Sequence, residues 1–378
     1  MNIVEKSLKF RSDLPSLKRL AIKVGSAAIT NPAGGVEGKN LTKICRDILE
    51  LRKSGVEVIL ISSGAIQTGR ALLKFDGPKS GVKYMQALSS VGQPGLMASY
   101  SKILEQDSVV CGQVLLTHED FKNRTRYLNA KNTLEVLLHH QVLPILNEND
   151  SVSFEEIAFG DNDHLAVMVS EMLGVDALLV LTTPDGLYSG DPQDPQSYQI
   201  QRVAHGQSTA EVRLAKKSAV GKGGMESKLK SVRKLTGAGI PVVLATFHDP
   251  RPILRALTQP VGTFFEAGPK KTLKSKKSWL MSTTKSNSAI VIDEGASRAI
   301  SKGASLLAVG IRKVVGTFQR GESIEVRVGK KVFCAGLTEY SSKEISKIKG
   351  LKVEQISEVL EFCPSNVVIH RNNMVFKE

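Results

Sequence analysis

Long apolar runs are absent from this chain. No stretch approaches the ~20 consecutive apolar residues of a membrane-spanning helix, so no membrane partner is expected. The first residues, MNIVEKSLKFRSDLPSLKRL, carry Glu5 and Asp13 and no apolar h-region, which argues against a secretory signal. Cysteine is scarce. Cys45, Cys111, Cys334 and Cys363 stand far apart with no C-x-x-C pair, so reduced thiols in a cytoplasmic protein are expected rather than a disulfide scaffold. No G-x-x-x-x-G-K-[ST] occurs, which excludes an ordinary P-loop enzyme. The seven histidines have no metal-ligand spacing and read as structural or solvated. Ser-His-Asp and Cys-His arrangements, internal repeats and extended low-complexity segments are also missing.

What remains is a chain of 378 residues, 41% hydrophobic and 23% charged, close to ordinary soluble usage. That length favours two or three domains and is ample for a full core. The net charge of +14 is uneven. Residues 270–378 hold 20 Lys and Arg against 10 Asp and Glu, while the rest of the chain holds 31 against 27. Such asymmetry is either the footprint of a polyanion partner, usually nucleic acid, or a basic lobe that aids solubility.

Short β-rich apolar runs recur at Leu20 to Val24, Val56 to Ile61, Val109 to Leu116, Val142 to Leu146, Ala177 to Leu181 and Pro241 to Ala245. Stretches long enough for helices separate them. In Asn162 to Leu173 the apolar residues Leu165, Met168, Val169 and Met172 fall on one helical face. The alternation predicts an α/β fold with a mainly parallel sheet covered on both faces, and ligands beyond the carboxyl ends of its strands. Near residue 268 the composition changes. Gly268 to Ser278 carries five lysines and reads as an exposed linker. Beyond it, Ala289 to Asp293, Leu306 to Val309, Ile324 to Val328 and Lys331 to Ala335 read as closely spaced strands with glycine turns, hence a small, mainly β domain.

Polar residues gather where strands end. Lys23-Val-Gly25-Ser26 closes the first strand and Ser62-Ser63-Gly64-Ala65 the second. Glycine lets backbone N–H groups approach an anion, and a following helix N-terminus adds a favourable dipole. Gly221-Lys222-Gly223-Gly224-Met225-Glu226-Ser227-Lys228 opens a helix and places Lys228 one turn inside it. Asn147-Glu148-Asn149-Asp150-Ser151 follows a strand, and Gly160-Asp161-Asn162-Asp163-His164 begins a helix. Asp161 there has the position of a cap. Carboxylates so clustered can hold an ammonium, bind Mg²⁺ or fix a lysine, and the amides can bind a carboxylate. Thr182-Thr183-Pro184-Asp185-Gly186 ends another strand as a turn.

Taken in order, Lys23-x-Gly-Ser, Ser62-Ser-Gly-Ala-Ile, LLT-x-x-D-F-x-x-R-x-R-Y-x-N-A, NENDSV, GDNDHLA, GLY and GGMESK resemble the glutamate 5-kinase family of the amino acid kinase superfamily. The later VIDEGASRAISKGASLLAVGI and FQRGESIEV resemble the PUA domain often fused to it. The resemblance covers roughly residues 17–372. It implies a three-layer αβα sandwich with a mainly parallel sheet (the amino acid kinase fold) over 17–267, a linker over 268–278 and a small mainly β PUA domain over 279–378. Residues 1–16 form an N-terminal extension that matches nothing.

The implied activity is ATP-dependent phosphorylation of the side-chain carboxylate of L-glutamate, the first step of proline biosynthesis. Mg²⁺ is implied as the ATP counterion, proline as feedback inhibitor, and a homo-oligomer, dimer or tetramer. By resemblance Lys23 and Lys228 flank the transferring phosphoryl and Asp163 positions them. Ser63, Asp150 and Asn162 match glutamate-binding positions, with Asp150 facing the α-ammonium and Asn162 donating to a carboxylate. Lys23, Gly25, Ser26, Gly64, Thr182, Thr183 and the run Lys222, Gly223, Gly224, Met225, Glu226, Ser227, Lys228 match the nucleotide side. No residue is assigned to a resident metal. Two positions depart from the family pattern: Thr183 stands where Asp is common, and Lys222 where Thr is common.

Two alternatives follow. Another superfamily member would act on acetylglutamate, aspartate, carbamate or a nucleotide, but NENDSV and the PUA domain argue against it. RNA binding through the basic PUA domain is the other. Trp279, Phe318, Phe333, Tyr340, Phe362 and Phe376 are scattered as core residues would be, which makes RNA a side activity rather than the main role.

Overall fold

The structure is a computed structural model that describes residues 11–12, 14, 16–31, 35–74, 81–152, 162–207, 225–269, 285–360 and 365–376. Contacts divide the chain into two compact units. One is Met1–Lys122 with Asn129–Lys270, the other Asn123–Leu128 with Lys271–Glu378.

In the first unit β1 (Arg19–Val24) runs into the short α1 (Ser26–Ile29) and then α2 (Gly38–Lys53). Next come β2 (Glu57–Ser62), α3 (Ala65–Leu72) and α4 (Val82–Leu104). These are followed by β3 (Cys111–Leu116), α5 (His118–Lys122), α6 (Arg124–His139), whose residues up to Leu128 are counted with the second unit, and β4 (Leu143–Glu148). After them come α7 (Asn162–Leu173), β5 (Ala177–Thr182), the hairpin β6 (Leu187–Tyr188) and β7 (Gln199–Ile200), and β8 (Arg202–Val203). The unit closes with α8 (Met225–Gly237), β9 (Val242–Thr246), α9 (Pro252–Thr258) and β10 (Thr263–Phe265).

Eight strands form one sheet in the order β3-β4-β2-β1-β5-β9-β10-β8. Every pairing is parallel except β9 with β10. From β1 the chain builds outward through β2 on one side and later through β5 on the other. That reversal opens a crevice at the carboxyl end of β1, where open α/β sheets bind ligands.

The period-two alternation of β1 decides what faces each layer. Leu20, Ile22 and Val24 join Ile44 and Ile48 of α2 and Ile253 and Leu257 of α9 in one apolar core. Ala21 and Lys23 therefore point to the opposite face, where α7 packs on β1, β2, β4 and β5. α2 and α9 are locked together by Asp47. Its fully buried carboxylate pairs with Arg251 and accepts from the N–H groups of Ile253 and Leu254 at 3.0 and 3.2 Å, capping the first turn of α9.

The second unit holds β11 (Lys285–Ile292), α10 (Glu294–Ser301), β12 (Ile311–Val315), β13 (Ser323–Val328), β14 (Lys331–Leu337), α11 (Ser342–Ile348), α12 (Val353–Leu360) and β15 (Met374–Phe376). Its sheet runs β12-β11-β13-β14-β15, with only β11 and β13 parallel. Ile290, Val326, Tyr340, Ile345 and Ile356 share its core, so helices as well as strands build it. One expected strand is corrected. Leu306 to Val309 makes an isolated bridge from Leu306 to Ile369 and then a 3-10 turn over Ala308–Gly310, and the strand begins at Ile311. A short apolar run does not distinguish a strand from a buried turn by periodicity.

Candidate active site

Lys23 lies in the last turn of the pleat of β1, buried on the α7 face. Its Nζ pairs with Oδ1 of Asp163 in the first turn of α7. Lys228, one turn into α8, brings its Nζ to 3.1 Å from Oδ2 of the same carboxylate. Asp163 is only 3% exposed, and the two lysine side chains are 6% and 14% exposed. Two positively charged ammonium groups thus converge on one buried carboxylate. In a low-dielectric crevice such groups attract an anion strongly.

Beside it Asn162 organises a second cluster. Its Nδ2 donates to Ser63 Oγ at 2.9 Å, to Asn147 Oδ1 at 2.9 Å and to the Ser62 carbonyl at 3.3 Å. Its buried Oδ1 has no donor among the described residues. The network fixes the amide orientation, because Asn147 Oδ1 also accepts from the Glu148 N–H at 2.9 Å while Asn147 Nδ2 donates to Gln93 Oε1 at 2.9 Å. A flipped Asn162 would set oxygen against oxygen. The open group is therefore an acceptor. Asn162 is expected to donate to a carboxylate; in this structure its Nδ2 is directed to Ser63, Asn147 and Ser62. A buried, unpaired acceptor at the mouth of a crevice suits a ligand ammonium.

Asp150, just past β4, accepts from Ser89 Oγ of α4 at 2.9 Å. Gly64 holds φ +108 at the N-cap of α3, a left-handed turn that favours glycine. Gly25 caps α1, but its N–H already points to the Leu181 carbonyl at 3.4 Å, which turns that donor into the sheet rather than toward an anion. Ser26 opens α1. Thr182 ends β5 and takes the Phe247 N–H on its carbonyl at 3.2 Å. Thr183 follows it, exposed, with its carbonyl on Thr246 Oγ1 at 3.2 Å.

Met225 and Ser227 sit half-buried in the first turn of α8. Glu226 departs from expectation: it faces solvent and pairs with Lys230 at 3.1 Å. Lys222, Gly223 and Gly224, like Asp161, lie outside the described residues.

The structure thus brings Lys23, Lys228, Asp163, Asn162 and Ser63 together. It also adds residues to which the resemblance assigned no role. Asn147 and Glu148 are the buried end of β4, which runs two residues past its expected end at Leu146. Gln93 and Ser89 lie four apart on α4, buried and polar in a mostly apolar helix, and that i, i+4 pairing was the available signal. His118 and His164, read as structural or solvated, meet at the opening of α7.

A family model described as the amino acid kinase family matches residues 18–246, and one described as the PUA domain matches residues 288–360. The chain is similar to the glutamate 5-kinase of Trichlorobacter lovleyi, 39% identical over 373 residues that cover 97% of this chain and 98% of that protein. It is 38% identical over 368 residues to the glutamate 5-kinase of Thermus thermophilus, covering 96% and 98%. A glutamate 5-kinase of Carboxydothermus hydrogenoformans is 38% identical over 381 residues, covering 97% and 99%.

Proposed function

The chain belongs to the glutamate 5-kinase family of the amino acid kinases, and from that premise we propose that it transfers the γ-phosphoryl group of ATP to the side-chain carboxylate of L-glutamate. The observation that carries this reading is the pair of ammonium groups on one buried carboxylate, next to an open amide acceptor. The products are γ-glutamyl phosphate and ADP, an entry reaction to proline biosynthesis.

A glutamate side chain titrates near 4.3 and is already an anion at neutral pH, so the attack needs no general base. The carboxylate oxygen forms the new P–O bond, the bond to the β-phosphate oxygen breaks, and ADP carries away the electron pair. Catalysis is then mainly placement and charge neutralisation. Lys23 and Lys228 flank the phosphoryl and stabilise the charge on its oxygens. Asp163 holds both ammonium groups at a fixed spacing. Asn162 Oδ1 and the Asp150 carboxylate receive the α-ammonium of glutamate, and Ser63 lines the same subsite. Gly25, Ser26, Gly64, Thr182, Thr183, Lys222, Gly223, Gly224, Met225 and Ser227 form the nucleotide side. Both oxygens of Asp163 are taken by lysines, and no group of three or more His, Cys, Asp or Glu among the described residues could hold a metal ion. Mg²⁺ fits this donor set as the counterion that ATP brings on its own phosphates.

The test is hydroxamate formation from glutamate, ATP and hydroxylamine, which traps the acyl phosphate. Glutamate-dependent hydroxamate is expected. Equal or greater ADP release with acetylglutamate, aspartate, carbamate or UMP would assign another substrate.

Four further properties go with this reading. Proline presents an α-carboxylate and an α-ammonium without the side-chain carboxylate, so it fits as an inhibitor competitive with glutamate. A dimer or tetramer is favoured by the exposed stripe Tyr84, Ala87, Val91, Pro94 and Ala98 on α4, spaced three and four apart without a charge, and sedimentation measures it. The domain limits 17–267 and 279–378, joined through 268–278, are tested by limited proteolysis. A cytoplasmic location accords with the free thiols of Cys45, Cys111 and Cys334, and no helix among the described residues is long and apolar enough to cross a membrane.

RNA binding is a second, subsidiary reading. It is favoured by the cationic PUA-like unit, where Arg312 and Lys313 stand exposed on β12. A salt-dependent gel shift with transfer RNA tests it.

A further inference from the structure

Consecutive residues open α7, and each reaches a different neighbour. Asn162 bonds the ends of β2 and β4 through Ser63 and Asn147. Asp163 joins Lys23 of β1 to Lys228 of α8. His164 reaches the end of β3, where the chain turns into α5. There its Nδ1 faces Nε2 of His118, with ring planes within 20° of parallel and centroids 4.4 Å apart. His118 is itself held in place. Its turn is closed by Thr117, whose N–H and hydroxyl both donate to Asp120 at 2.7 and 2.9 Å. Its Nδ1 lies 4.0 Å from Glu148 of β4.

The first turn of a helix has backbone N–H groups without an i−4 partner, so its direction depends on what its side chains grip. Here three successive side chains grip four strand ends. Two of them belong to the proposed chemistry, and the third does not. An N–H···N bond between imidazoles needs one ring nitrogen to donate and the other to accept. It ties the first turn of α7 to the end of β3, the edge strand that lies three strands from β1 in the sheet. A small rotation there would swing Asn162 Oδ1 and the Asp163 carboxylate out of aim, and misplacement by about 1 Å can cost on the order of a hundredfold in rate.

We propose that the His118–His164 hydrogen bond is a positioning contact that aims Asn162 and Asp163 at glutamate and at the transferring phosphoryl. This rests on the glutamate kinase reading above and adds His118 and His164 to it as positioning residues.

The test uses the full-length chain with His118→Ala, His164→Ala, the double variant, and the conservative His118→Gln and His164→Asn. Those last two return an amide group to the place of Nε2 or Nδ1, its nitrogen able to donate and its oxygen able to accept. Each alanine variant is expected to lower kcat/KM for glutamate about tenfold, through both kcat and KM, with the ATP KM changed less than about twofold. The double variant should be no worse than either single one, because one bond is lost in all three. His118→Gln should recover most of the loss. Wild-type glutamate kinetics in the alanine variants, losses that multiply in the double variant, or a loss that tracks thermal stability and is not recovered by Gln or Asn would overturn the proposal.

A second readout does not need activity. The side-chain amide resonances of Asn162 should shift in His118→Ala, a residue remote from it in sequence, and return in His118→Gln. Unmoved Asn162 resonances overturn the positioning role even where the wild-type chain releases no ADP with glutamate. That last result would overturn the kinase reading alone.

Discussion

Gly69 of α3 and Gly92 of α4 meet at a helix crossing so close that a Cβ on either would lie 1.9 Å from a backbone carbonyl oxygen of the other helix. Only hydrogen fits there. The contact sets the position of α4 beside the sheet, and α4 carries Ser89 and Gln93 to Asp150 and Asn147. Gly92→Ala is therefore expected to push the helices apart. Overpacking of this kind costs about 1–3 kcal/mol. The glutamate KM should rise severalfold as Ser89 and Gln93 retreat, with a smaller change for ATP. Unchanged melting temperature and KM in Gly92→Ala would show that α4 has room to spare.

Lys228→Ala separates charge stabilisation from binding. Charge on the phosphoryl oxygens peaks in the transition state, and an aimed ammonium matters most there. Removing one preorganised donor commonly costs on the order of 10²–10³ in rate. The expected result is a large fall in kcat with a modest change in glutamate KM. A near-normal kcat would take Lys228 out of the site.

Asp150→Ala and Asn162→Ala address the ammonium of glutamate. Both side chains offer acceptors on the β4 side of the crevice: Asp150 takes the Ser89 hydroxyl at 2.9 Å, and the buried Oδ1 of Asn162 has no donor among the described residues. Each substitution should raise the glutamate KM strongly and leave the ATP KM nearly unchanged. Parallel rises in the two KM values would place these residues in a shared rather than a glutamate-specific subsite.

Much of this arrangement is legible in the sequence, and the reason differs by element. The core strands announce themselves because parallel strands buried on both faces need unbroken apolar runs, as in Ala177–Thr182. Lys23 stands out because it interrupts such a run, and the parity of β1 already places it opposite Leu20, Ile22 and Val24. The polarity of Asn162 is not legible, because which end of an amide is spent depends on Ser63 and Asn147, remote in sequence. The same holds for His118 and His164, which lie 46 positions apart and meet only through the pairing of β3 with β4 and the packing of α7. In the second unit, the glycine-punctuated strands hid three helices, since short amphipathic helices between turns carry little periodic signal.

The alkaline limb of stability tests the core behind the site. Cys45 of α2 is buried, and burial first, then the nearby Cys111, pushes its thiol up to about 12 from an ordinary 9.0. Tyr100 of α4 is fully buried as well. Burial is again the main cause that raises its phenol, helped by the Cys45 charge and opposed by the hydrogen bond with Ser62. Both groups are neutral when protonated, so the folded chain holds protons that the unfolded chain releases. Their contribution is complete below pH 9 and is lost as pH rises from 9 toward 12. Each such group removes about 1.4 kcal/mol of stability per pH unit across its window. Urea unfolding of the first unit between pH 7 and pH 11 should therefore show a midpoint that is flat to about pH 9 and then falls. Cys45→Ala is expected to be less stable at pH 7, because it leaves a small cavity, yet to fall less steeply above pH 9. The two curves should converge as pH rises. Curves that decline in parallel would mean that the Cys45 thiol ionises as easily in the folded chain as in the unfolded one.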